Sequence, residues 1–350
     1  MGLPNASTFS TYAVGYPYSQ TGAGVSVIGT REDAINTLTM IDPDEAMTLA
    51  VLQKTTTNGL RHEWFTDVMQ AIATAPALQG EDWGASNNKQ LKVRTRLWNY
   101  VQWFRQDWSI TTDELLLSER GQIFGVPNEQ DYQTGKGGME VTRNIDARLW
   151  SLGGALYGSV VGTDAVAAQF ANFRAFASIG GGVTAALAFT GGAFATASFY
   201  DLQERMWTAG AKPDTLFVSP GVKSDISRTL LGDAGTTINS GLSTVRTNDV
   251  ISGGEYGPVI DFIRTDFGRV AMVVDRWLPQ QSVTGSATVH SENAAYFLVE
   301  KSKLRVAFWR PIKPYQVAST GDNVKLYCLG ACTVEILHPT ALGHCANIIT

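Results

Sequence analysis

Two runs decide how this chain is read: LKVRTRLWNYVQWFRQDWSITT at residues 91–112 and NEQDYQTGKGGMEVTRNIDARLWSLGGAL at residues 128–156. The first alternates. Val93, Thr95, Leu97, Asn99 and Val101 share one face of an extended chain, and Arg94, Arg96, Trp98, Tyr100 and Gln102 share the other. The spacing predicts one long strand over residues 91–112. The second run has helical spacing: Ile145, Leu149, Leu152 and Leu156 recur along one face. Asn128 is placed to cap it, with Glu129 and Asp131 in the first turn. Gly135, Gly137 and Gly138 each cost about 1 kcal/mol against Ala in a helix. Either the helix starts after them or another backbone packs close there. A long strand feeding a long helix suits a projecting building block better than a catalytic pocket.

Working outward, LRHEWFTDVM at residues 60–69 reads as the partner strand, joined to the first run by the loose polar tip LQGEDWGASNNKQ. Upstream, Asp42-Pro43-Asp44-Glu45 opens a helix that should run to Gln53 or Lys54, with TTTNG at 55–59 as a turn. Residues 1–30 read as an extended arm. Downstream, FYDLQERMWTAG is a helix closing on Gly210, DTLFVSP a buried strand and GVKSDISRTLL another helix. GPVIDFIRTDFGRVAMVVDRWLP gives two strands meeting at Asp266-Phe267-Gly268. NAAYFLVEK, KLRVAFWRP, NVKLYCLGACTVEILHP and LGHCANIIT continue as β. The fold class is α+β.

Composition narrows the function. At 350 residues the chain supports two or three subdomains. Its charged fraction of 17% is low against roughly 25% for soluble domains, which means either much burial within the chain or much surface covered by other subunits. The net charge of −5 and the absence of any basic run argue against nucleic-acid recognition. MGLPNASTFS has neither a basic n-region nor an apolar h-region, so no secretory signal is expected. The uncharged window 175–200 is long enough to span a bilayer, but its glycines make a buried or interface-facing segment the better reading. No membrane partner is expected. Cys328, Cys332 and Cys345 are expected as reduced thiols.

Motifs of chemistry fail one by one. His62-Glu63 lacks the second histidine of a zinc protease, Thr66 standing in its place. Thr134-Gly135-Lys136-Gly137-Gly138 lacks the hydroxyl after lysine and the strand that would lead into a phosphate loop. Asp266-Phe267-Gly268 has no kinase catalytic loop with it. Cys328, Cys332, His338, His344 and Cys345 have zinc chemistry, but the first two lie about 13 Å apart along a strand. No catalytic residue, cofactor or metal is expected.

Several stretches together resemble tailed-phage major capsid proteins, of the Escherichia phage SU-ten-type major head protein family. The resemblance rests on Thr57-Asn58 and His62-Glu63-Trp64, then Thr95-Arg96-Leu97, Asn99-Tyr100 and Gln102. Tyr132-Gln133, Lys136, Gly138-Met139-Glu140 and Arg143-Asn144-Ile145-Asp146 carry it along the helix. Trp207, Ala209-Gly210, Pro213-Asp214, Thr265-Asp266-Phe267-Gly268, Asp275-Arg276-Trp277-Leu278-Pro279 and Thr320-Gly321-Asp322 carry it to the end. It covers residues 42–350 by order of elements.

The resemblance implies a Hong Kong 97-type fold: an N-terminal arm (1–59), an extended loop hairpin (60–110), a spine helix and first part of a peripheral domain (111–200), an axial domain (201–295) and return strands (296–350). It implies a subunit that assembles with itself as hexamers and pentamers into an icosahedral head around double-stranded DNA. Scaffolding, portal and decoration proteins would be its partners, and the packaged DNA only non-specific contents. Assembly would take place in the host cytoplasm and the product would be the virion capsid. Another decoration or tail protein, or a hydrolase, are the alternatives.

The hairpin's aromatic face makes Arg94, Arg96, Trp98, Tyr100 and Trp103 the candidates for contact between subunits, with the tryptophans of this region facing neighbours; ordinary core packing under another layer is the alternative. The tip residues Asn88 and Lys89 could join subunits as an isopeptide, as some capsids of this fold do, or be an ordinary solvated loop.

Overall fold

The computed structural model describes residues 46–67, 79–80, 94–119, 128–150, 160–178, 183–184, 196–231, 262–278, 294–319 and 321–348. The arm at 1–30, the cap at Asp42–Glu45 and the hairpin tip with Asn88 and Lys89 lie outside the described residues. Three sheets organise the rest. A two-stranded hairpin pairs β2 (Arg61–Thr66) with β3 (Thr95–Tyr100) antiparallel. A four-stranded sheet runs β1 (Gln53–Thr56), β10 (Leu304–Val317), β11 (Asn323–Ile336), β4 (Gln102–Thr111). A six-stranded sheet runs β5 (Val183–Thr184), β12 (Leu342–Ile348), β9 (Ala294–Val299), β6 (Thr215–Val218), β8 (Gly268–Val274), β7 (Phe262–Thr265).

The run 91–112 is two strands, not one. β3 pairs only with β2, whereas β4 pairs with β11, from Gln102 opposite Cys332 to Thr111 opposite Asn323. The inward phase flips at the break: Asn99 and Val101 are buried on odd numbers, Phe104 and Ile110 on even ones. A one-residue slip of a period-two chain exchanges its faces, and alternation reads the same on either side of it. Asn99, fully buried, holds the junction. Its Nδ2 donates to the carbonyls of Ala171 and Val334 at 2.9 and 3.1 Å, and its Oδ1 accepts from the N–H groups of Ala171 and Tyr100 at 2.9 and 3.0 Å. Gln102 Oε1 accepts from Phe170 N–H and Arg148 Nε just beyond, at 3.4 and 3.2 Å.

The helix of the second run, α3 (Glu129–Trp150), passes through its glycines without interruption. Asn128 caps it, Oδ1 accepting from Gln130 N–H at 3.0 Å. Gly137, Val141, Ile145 and Leu149 form the buried stripe that lies on the four-stranded sheet. Close approach does explain Gly137, although the neighbour is a side chain and not backbone: a Cβ there would run into the Trp108 ring, 2.8 Å from Cη2. A Cβ at Gly135 or Gly138 would meet only open space. Gly330 of β11 leaves room on the sheet side, where a Cβ would stand 2.9 Å from Ile312 and 3.5 Å from Val141. Beyond Phe308, where β1 stops, β10 is an edge, and Pro311 and Pro314 are accommodated there beside its register shifts.

Other expectations need adjusting. The first helix, α1 (Met47–Val51), is short, and Gln53 already belongs to β1, which runs parallel to β10. A helix absent from the sequence reading, α2 (Thr112–Glu119), follows β4. Its capping box was visible: Thr111 Oγ1 accepts from Glu114 N–H at 3.3 Å while Glu114 Oε2 accepts from Thr111 N–H at 3.0 Å. Trp150 does not face a neighbour. It is fully buried, with the rings of Phe297, Phe173 and Phe217 at 4.4, 5.3 and 5.3 Å.

The six-stranded sheet is covered on both faces, so all four residues of β6 are buried, Thr215 and the apolar run Leu216–Val218. Phe217 and Phe297 face the Trp150 core. Leu216, Val218, Tyr296 and Leu298 face α5 (Thr196–Thr208) and α6 (Pro220–Leu231). The close of α5 on Gly210, at φ +92°, and the Asp266-Phe267-Gly268 turn between β7 and β8 are as the sequence reading has them. Among the described residues no helix is long and apolar enough to cross a membrane.

Four substitutions test this packing by chemical denaturation of the unassembled protomer. Gly135→Ala and Gly138→Ala should each stabilise by up to about 1 kcal/mol, whereas Gly137→Ala should destabilise by about 1–2 kcal/mol as Trp108 is displaced. Asn99→Asp turns the donor that faces the Ala171 and Val334 carbonyls into an acceptor and should cost about 3 kcal/mol.

Candidate functional site

The hairpin has one anchored face and one open face. On the anchored side Trp64 is buried, its Nε1 donating to the Ile336 carbonyl at 2.7 Å. His62 Nε2 lies 3.3 Å from Glu335 Oε2, and this contact holds the Glu335 carboxyl below the usual carboxylate range. With Asn99 on the facing strand, these groups fix the base of the hairpin to β11.

Alternation then sends Arg61, Glu63, Phe65, Arg96, Trp98 and Tyr100 to the other side. Phe65 is 65% exposed and Trp98 39%. Trp98 meets Tyr100 edge to face at 5.1 Å, and the Arg61 guanidinium covers the Trp98 ring at 4.7 Å. Glu63 joins the two strands, with Arg61 Nε at 2.8 Å and Arg96 Nη1 at 3.4 Å. Exposed pairs of this kind add little stability. Their effect is to hold two aromatic rings outward against water. Arg94 is more open than Arg61 or Arg96, its side chain 74% exposed and its Nε 3.7 Å from Asp67.

Four of the five candidate contact residues therefore share the hairpin: Arg94, Arg96, Trp98 and Tyr100. Trp103 does not join them. It stands in β4, in another sheet and past the change of face, edge to face with Trp309 at 4.8 Å and beneath the Arg310 guanidinium at 5.3 Å. Sequence reasoning missed Arg61, Glu63 and above all Phe65. Their signal was the alternation of β2 itself, once Trp64 is taken as the inward residue.

A second surface has the opposite charge. The end of β4, α2 and the start of α3 enclose a cleft of about 410 Å³ lined by Trp108, Ser109, Ile110, Glu114, Glu129 and Gln133. Leu116 and Leu117 are exposed beside it. Asp113, Glu114 and Glu119 of α2 and Glu129 and Asp131 of the first turn of α3 lie along it, with Lys136 further along α3.

The rejected motifs fall in structural places. His62-Glu63 lies on a strand, Thr134 to Gly138 inside α3, and Asp266-Phe267-Gly268 in a hairpin turn with Gly268 at φ +136°. Cys328, Cys332 and Cys345 are buried thiols outside any disulfide, and burial raises all three. Among the described residues no three His, Cys, Asp or Glu side chains come together as metal ligands.

Residues 11–348 match the protein family described as SU10 major capsid protein. No curated protein matches the chain. Solved structures do. The cyanophage A-1(L) capsid asymmetric unit superimposes at TM-score 0.63 with 14% identity, over 92% of this chain and 98% of that one. Gordonia phage Cozz follows at 0.56 and 12%, over 95% and 98%. The capsid of Myoviridae phage XM1 gives 0.53 and 12%, over 93% and 100%. At these identities the structures establish the fold, the Hong Kong 97-type capsid fold. The family match spans nearly the whole chain, and on it this chain belongs to the SU10 major capsid protein family.

Proposed function

We propose that this capsid subunit assembles as hexamers and pentamers into an icosahedral head around double-stranded DNA, and that the open face of the β2–β3 hairpin makes the contact between neighbours. The observation that carries the contact is the pairing of a firmly anchored inner face with an outer face that leaves Phe65 and Trp98 in water. Exposed aromatics flanked by arginine are what buried interface centres are made of. A second copy is the occupant, and the carboxylates of α2 and the start of α3 support that reading. Arg61, Arg94 and Arg96 meet the carboxylates around the cleft at the start of α3, while Phe65 and Trp98 cover Leu116 and Leu117.

In this reading residues 1–59 are the arm, 60–110 the intersubunit loop, 111–200 the spine and the first part of the peripheral domain, 201–295 the axial domain, and 296–350 the return strands. Assembly takes place in the host cytoplasm, with scaffolding and portal proteins as partners. Decoration proteins are partners too: a structure similar in fold holds the phage G major capsid proteins together with decoration proteins. With a net charge of −5, the shell holds its DNA without recognising it.

Trp98→Ala and Phe65→Ala should leave a folded, soluble protomer with unchanged circular dichroism and raise the concentration needed for assembly at least tenfold, the effect of losing about 2 kcal/mol at an interface centre. Arg94→Glu should do the same by charge, more strongly at low salt. Light scattering and electron microscopy read the outcome. Shells formed at wild-type concentration by both aromatic variants would exclude the hairpin face as the contact.

A further inference from the structure

Two carboxyl groups are buried where α1, α3 and the turn after β8 meet: Asp146 is 0% exposed and Asp275 1%. Between them stands Thr48 of α1, also fully buried. Its hydroxyl accepts from Trp150 Nε1 at 2.7 Å and donates to Asp275 Oδ2. The next residue continues the link, Leu49 N–H donating to Asp146 Oδ1 at 2.6 Å. Asp275 Oδ1 accepts from Trp277 N–H at 2.8 Å, and the Asp275 N–H donates to the Val218 carbonyl of β6 at 3.0 Å. Asp146 Oδ2 is the one carboxyl oxygen of the four with no hydrogen-bond partner.

The surrounding charges point elsewhere. Arg143 of α3 lays its guanidinium over the Trp277 ring at 5.8 Å, and Arg148 reaches Gln102 and the Phe170 carbonyl. Arg174 of α4 (Phe173–Ser178) acts on His344. Arg276 is exposed, and Met47–Val51 of α1 contains no charge. Two carboxylates in so dry a place are not stable together without a cation or a proton.

We propose that Asp146 and Asp275 share one proton, and that this pair is a pH-sensitive latch holding α1 to α3 and the six-stranded sheet. The protonated Asp146 Oδ2–H donates to the Asp275 carboxylate. When the proton leaves to solvent, two like charges face each other across Thr48 and α1 loses its hold. α1 depends on these bonds because it is five residues long and has no side-chain cap at its N-terminus. Burial first, then the charge of Asp275, pushes Asp146 up to about 7, and burial also raises Asp275. An unfolded carboxyl titrates near ~3.9. The folded value is the higher one, so the latch is fully engaged below about pH 4 and is lost as pH rises through about 7.

Hydrogen exchange of the full-length protomer, corrected for intrinsic rates and followed on a peptide spanning residues 46–52, tests the latch. Protection should be about tenfold or more greater at pH 5.5 than at pH 8, while a peptide from α6 stays constant. Asp146→Asn carries a permanent donor toward Asp275 and should keep its protection at both pH values. Equal protection of the wild type at both values, or an unchanged pH slope in Asp146→Asn, would overturn the proposal. A chelator should have no effect at pH 8; loss of protection on its addition would place a cation between the carboxyls and overturn it as well. Should the variant fail to fold, difference infrared spectroscopy of the wild type decides. A protonated-carboxyl stretch that titrates near pH 7 is expected, and its absence contradicts the shared proton.

Discussion

The structure turns on the four hydrogen bonds of Asn99. A buried amide with every donor and acceptor used costs little to keep and a great deal to disturb. Here it ties three separate parts of the chain, β3, the segment at Ala171 and β11, at the point where the strand leaves the hairpin. Because Asn99 holds that point, β2 and β3 can extend away from the body with one face pinned and the other free. β4 can then enter the four-stranded sheet in the opposite phase, and α3 can lie across it.

From that junction the packing follows in two directions. Toward the sheet, Gly137 lets the Trp108 ring lie against α3, and Gly330 lets the sheet approach Val141 and Ile145. Toward the far end of α3, Trp150 inserts among Phe173, Phe217 and Phe297, so the two larger sheets share one aromatic core. A subunit built in this way has one shared aromatic core and a hairpin with one anchored and one open face. That is what a shell needs when each copy must bind several neighbours by modest contacts repeated through symmetry.

Much of this was legible in the residues. Asn128 with Glu129 and Asp131 marked the start of α3, the apolar runs marked β6 and β9 to β12, and Gly210 and Gly268 marked their turns, each because a local rule and the tertiary structure agree. The split at Val101 was not legible, since alternation continues across it and only the change of partner reveals it. The glycines of α3 were legible as an anomaly but not as a solution, because Trp108 lies 29 positions from Gly137 in the chain. Of the open hairpin face, the residues on β3 were singled out from the sequence and those on β2 were not. Trp103 was grouped with them by its type and belongs to another surface.

The central claim is that the open face of the hairpin is covered in the assembled head. A cryo-electron microscopy map of the particle, at a resolution that shows side chains, tests it most directly. The account predicts Phe65 and Trp98 of each subunit buried against the α2 and α3 acidic surface of its neighbour, with Asn99 bonded within its own chain. A map in which that face remains open to solvent on every subunit would contradict it.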